Sequence, residues 1–115
     1  MTDAGDLDRR AQRLVDRVVE LAAFTSRPGG CTRLAFSEEV AQAAERVRSW
    51  LEPLGLGCET DAAGNFSAVL PGANPQAPRL MIGSHLDTVV DGGAWDGTLG
   101  VLVAADCLER LASGA

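Results

Sequence analysis

The sequence predicts an α/β fold in the order α-α-β-β-β-loop-α. Three observations carry that expectation. Two amphipathic helical patterns open the chain, short apolar runs bounded by Gly, Pro and Asn follow, and a long apolar stretch closes it. Helices before and after a set of strands argue for a layered domain.

Leu7, Ala11, Leu14, Val15, Val18, Leu21 and Ala22 recur at three- and four-residue steps, which marks one face of a first helix. Arg9, Arg10, Arg13, Asp16 and Arg17 fall on the other side. Asp6 suits an N-cap, and the Pro28-Gly29-Gly30 loop stops the helix near Phe24. A second helix follows Ser37, whose hydroxyl can cap free N–H groups, while Glu38 and Glu39 suit the positive end of the helix dipole. Its buried face is Val40, Ala43, Ala44, Val47, Trp50 and Leu51, and Pro53 and Gly55 end it. Gly57–Thr60, Asn65–Leu70 and Leu80–Ser84 read as strands. Gly97–Leu111 is apolar on nearly all sides until Asp106, which predicts a helix buried on more than one face.

The composition excludes several classes. The 115 residues are 46% hydrophobic and 23% charged, which is globular rather than disordered. A net charge of −6 with 4% aromatics opposes nucleic-acid binding, because such a chain repels phosphates and offers few stacking surfaces. No basic amphipathic stripe and no apolar run of about 18 residues points to a membrane. Cys31, Cys58 and Cys107 are odd in number and widely spaced, so they read as reduced thiols. With the acidic start MTDAGDLDRR, which is no secretory signal, they predict a cytoplasmic protein.

The chemistry concentrates in Gly83-Ser84-His85-Leu86-Asp87-Thr88, then Asp91-Gly92-Gly93 and Asp96-Gly97, around the one histidine of the chain. In extended chain His85 and Asp87 project to the same side, about 6.6 Å apart at Cα. Asp87 can then accept the N–H of the imidazole and leave the other ring nitrogen for a metal. A Gly-rich turn can bring Asp96 to the same point. Histidine with carboxylates suits zinc, manganese or cobalt. A Ser84-His85-Asp87 nucleophilic triad is disfavoured, because neighbours on a strand face opposite ways and no G-x-S-x-G elbow is present. A phosphate cradle at Gly92–Gly100 lacks the G-x-x-x-x-G-K-[ST] pattern and carries repelling Asp91 and Asp96. From spacing alone, a satisfied polar histidine beside ordinary Asp-Gly turns carries about equal weight.

Gly83 to Val101, as GSHLDTVVDGGAWDGTLGV, closely resembles the first metal-binding segment of the N-carbamoyl-L-amino-acid hydrolase and allantoate amidohydrolase family, within the wider di-metal aminoacylase and carboxypeptidase group. Thr32-Arg33-Leu34-Ala35-Phe36-Ser37, the helix ending in Trp50, and Asp61-Ala62-Ala63-Gly64-Asn65 match in order and spacing. The resemblance implies a zinc-peptidase-like layered catalytic domain, of which residues 1–115 form the N-terminal portion without the lid domain. It implies His85 as a ligand of one metal and Asp96 as the carboxylate bridging two. It implies Asp87 as the catalytic-site aspartate that orients the histidine. The complete site would hold two divalent metals, Zn or Mn/Co, and would hydrolyse a linear amide or ureido C–N bond in a small-molecule substrate. The family's adjacent glutamate pair and later ligands are not found here, so the chain alone is expected to be inactive. Glu38-Glu39 sits on the wrong element for that pair. The apolar last helix leads to the expectation of a homo-oligomer.

Overall fold

The computed structural model describes residues 3–114. Its elements are α1 (Ala4–Ala22), α2 (Glu38–Leu51), a 3-10 turn (Glu52–Leu54), β1 (Gly57–Thr60), β2 (Phe66–Val69) and α3 (Thr98–Ser113). The core lies where the three helices meet. Val18 and Leu21 of α1, Ala43, Val47 and Leu51 of α2, Leu56, and Leu102 and Ala105 of α3 are buried together. Cys58, Phe66 and Ala68 bring the two strands against that cluster.

The second helix forms as its sequence predicts. Ser37 caps it, its hydroxyl accepting from Val40 N–H at 3.3 Å, and Glu38 and Glu39 occupy the first turn. Ala43, Val47 and Leu51 are its buried stripe. β1 and β2 pair antiparallel with Gly57 opposite Val69 and Thr60 opposite Phe66. Asp61 closes their hairpin by accepting from the backbone of Ala63 and Asn65.

Several expectations are corrected. The first helix is capped at Asp3, not Asp6, because it runs on through Gly5 to an earlier start. Arg10, Arg13 and Arg17 do not form a solvated face. Arg10 and Arg13 both donate to Asp106 of α3, and Arg17 pairs with Glu109 at 2.8 Å and lies 4.4 Å over the Trp50 ring. Asp106 itself is buried. Burial opposes its ionisation, but the hydrogen bonds and charges of Arg10 and Arg13 outweigh that and hold the carboxyl below its ordinary value. These pairs join α1 to α3.

The third expected strand, Leu80–Ser84, is not formed. The described residues hold one two-stranded sheet, and nothing pairs with this segment. Leu80 and Met81 are 93% and 92% exposed. An apolar run becomes a strand only when a neighbour accepts its N–H and C=O groups. α3 is likewise not buried all round: Leu102 and Ala105 face the core, whereas Leu99, Val103 and Leu111 are exposed.

Candidate metal centre

The segment that carries His85 is pinned from behind by buried polar groups. The Thr88 backbone N–H donates to Arg33 C=O at 2.7 Å, and Arg33 N–H donates to Thr88 Oγ1 at 2.9 Å. Further along, the Asp91 and Gly92 N–H groups donate to Thr32 Oγ1 and to Cys31 C=O. Residues 31–33 therefore act as a template for residues 88–92, in place of the expected sheet pairing. Asp91 has a φ of +50°, which lets the chain turn there toward Gly92 and Gly93.

That turn brings together the three residues singled out from the sequence. His85 Nε2 lies 3.8 Å from Asp96 Oδ2. Its Nδ1 lies 2.9 Å from the main-chain carbonyl of Asp87 and 3.5 Å from the Asp87 carboxylate. The nearer partner is thus the carbonyl, not the side chain expected from an extended strand. A carbonyl oxygen can only accept, so Nδ1 is the donor of this contact and Nε2 is the nitrogen turned toward Asp96. All three side chains are about half exposed or more, so a ligand can reach them.

Glycine makes the approach possible. Gly97 has a φ of +71°, and a Cβ there would lie 2.4 Å from the His85 ring. One turn on, a Cβ at Gly100 would lie 2.7 Å from the Ser84 side chain. Ser84 packs over α3 at Gly100.

The donor set fits part of a metal site. Metal bonds of about 2.0 Å to imidazole and 2.1 Å to carboxylate can together span the 3.8 Å between Nε2 and Oδ2. Among the described residues no group of three or more His, Cys, Asp or Glu side chains is placed to hold a metal ion together.

One contributor, Arg33, carries no role predicted from the sequence. It is fully buried, and its guanidinium donates to Leu86 C=O at 2.7 Å, Leu21 C=O at 2.6 Å, Phe24 C=O at 3.2 Å and Thr98 Oγ1 at 2.9 Å. A lone arginine in a loop belongs to no period, and only the Thr32–Ser37 match to the family, which assigns it no role, includes it.

No family model matches the chain. It is 40% identical over 103 residues to an N-carbamoyl-L-amino acid amidohydrolase of Geobacillus stearothermophilus, covering 89% of this chain and 25% of that protein. It is 35% identical to allantoate deiminase 2 of Glycine max, covering 95% of this chain and 24% of that one. The fold matches the crystal structure of a hydantoinase/carbamoylase family amidase from Burkholderia ambifaria with a TM-score of 0.81 at 34% identity, over 90% of this chain and 25% of that chain. The chain thus spans about a quarter of the length of the relatives it matches. In sequence and in fold it matches about a quarter of the length of N-carbamoyl-L-amino-acid amidohydrolases and allantoate deiminases.

Proposed function

We propose that this chain supplies one side of a two-metal amidohydrolase centre, with His85 a ligand of one divalent ion and Asp96 shared between both. The observation that carries the reading is the 3.8 Å approach of Asp96 to Nε2 of His85, whose Nδ1 is held by the Asp87 carbonyl. When bound, zinc, manganese or cobalt would polarise the scissile carbonyl and acidify a water. The chain's own contribution is orientation: the Asp87 carbonyl holds the Nδ1 proton, and Gly97 lets α3 deliver Asp96 to the ring. The substrate class is a linear amide or ureido group on a small carboxylic acid, as the names of the relatives suggest. The parent fold on this reading is a layered, zinc-peptidase-like catalytic domain in the cytoplasm.

The chain by itself is proposed to turn nothing over. Two ligands leave a metal weakly held, and a catalytic zinc takes three protein ligands and a water. The test is a chimaera in which this segment replaces its 40%-identical counterpart in the Geobacillus amidohydrolase. Turnover of N-carbamoyl amino acids or allantoate that needs added Zn, Mn or Co and is lost in His85→Ala and Asp96→Asn supports the reading. Turnover indifferent to both substitutions refutes it.

A further inference from the structure

The two halves of the candidate centre come from different elements. His85 and Asp87 sit on an irregular segment that pairs with no strand among the described residues, and Asp96 precedes α3. Something must set the spacing between them, and the exposed side chains at the site do not. Behind it lies one rigid group that touches both halves. The Arg33 Nε donates to the carbonyl of Leu86, the residue between His85 and Asp87. Its Nη2 donates to the hydroxyl of Thr98, two residues after Asp96. Its Nη1 donates to Leu21 and Phe24 carbonyls at the end of α1, which anchors the fork to the core.

We propose that Arg33 is the positioning residue of the His85/Asp96 centre, its planar guanidinium fixing the distance between the His85 segment and the start of α3. This rests on the metal-centre reading above for its function, but its geometry stands independently. Among the described residues Arg33 makes no hydrogen bond to a carboxylate: each acceptor of the guanidinium there is a carbonyl or a hydroxyl. Burying a charge that no carboxylate hydrogen-bonds is costly, and the desolvation lowers the guanidinium's proton affinity against smaller opposing effects of Cys31 and Asp87. A mere space-filler would avoid that cost. A fork with donors in one plane is what the site gains, since lysine is a point charge and cannot reach three elements at once. Thr98 is also fully buried, so its hydroxyl is held where the fork needs it.

The test uses Thr98→Val, which removes one acceptor and keeps the shape, with Arg33→Lys as the stronger change and Thr98→Ser as the conservative rescue. The chain has one histidine, so its ring signals in NMR are unambiguous. Wild type should show a cross-relaxation peak between the His85 ring and the Gly97 α-protons, and a protonated Nδ1. In Thr98→Val and in any folded Arg33→Lys the peak should weaken or vanish while the circular dichroism of the helices is kept, and Thr98→Ser should restore it. Cobalt titrated onto the chain and read at the same ring signals should bind about tenfold or more weakly in both variants. If Arg33→Lys does not fold, Thr98→Val decides. An unchanged His85–Gly97 peak in folded Thr98→Val overturns the positioning role. Should wild type bind no cobalt at His85, the metal reading fails, whereas the positioning role is still judged by the peak.

Discussion

Gly97 and His85 are in contact so close that any side chain at position 97 would occupy the ring's place: an added Cβ would lie 2.4 Å from its Cε1 and Nδ1. The same glycine takes a φ of +71°, which L-residues avoid. One position therefore meets a backbone demand and a packing demand together.

Gly97→Ala should accordingly destabilise the chain by about 1–3 kcal/mol through the backbone alone. It should also displace His85 or the start of α3, because neither backbone nor ring can yield by an ångström without moving. Chemical denaturation measures the first effect and the His85 ring shifts the second. A variant with wild-type midpoint and unchanged ring signals would show that the approach is looser than described.

Asp106 is predicted to be the main electrostatic tie between α1 and α3. Its side chain is 4% exposed and accepts from Arg10 and Arg13. Asp106→Ala leaves two arginines without their shared partner. The expected loss is about 3 kcal/mol, the low end for a broken buried pair, because Arg13 is half exposed and screened by water. The sign with pH follows from the depressed carboxyl. Its stabilisation is complete above the unfolded value of about 3.9 and fades as pH falls through the lower folded value. Denaturation series at pH 7 and near pH 3 should show wild type losing more stability on acidification than Asp106→Asn.

Leu80 and Met81 lie almost wholly in water, beside unpaired backbone. Exposed apolar edges pair with one another. In a purified sample a second copy of the chain is the available cover, so light scattering should give a dimer or larger species. Leu80→Glu combined with Met81→Lys should shift it toward monomer without loss of helix. A monodisperse wild-type monomer at high concentration would contradict the expectation.

Asp87→Asn separates the two ways Asp87 touches the ring. The main-chain carbonyl, the nearer partner at 2.9 Å, is retained, so the Nδ1–H tautomer of His85 should persist. The negative charge 3.5 Å from Nδ1 is lost, and activity of the chimaeric enzyme should fall about tenfold or more. A switch of tautomer in nitrogen NMR would assign the orienting role to the carboxylate instead.

Local patterns in the sequence were reliable where local physics decides. Ser37 capped its helix, β1 covers Gly57–Thr60 as expected, and β2 differs from the expected Asn65–Leu70 by one residue at each end. The convergence of His85, Asp87 and Asp96 was legible because all three lie within one short, Gly-rich stretch. What was not legible depends on distant partners. Arg10 and Arg13 look like solvated charges until Asp106, more than ninety residues away, is placed beside them. Leu80–Ser84 has the composition of a strand, but composition does not reveal whether a neighbour is there to pair with it. Arg33 owes its burial to acceptors on three separate elements, none of which its own neighbours in sequence announce.

The central claim is that His85 and Asp96 hold a divalent metal between them. Cobalt titrated onto the wild-type chain, with binding followed at the single histidine's ring signals and by elemental analysis after dialysis, tests it most directly. Binding should be weak but specific, should perturb Nε2 rather than Nδ1, and should be abolished by His85→Ala and strongly reduced by Asp96→Asn. Equal metal occupancy in wild type and His85→Ala would contradict it.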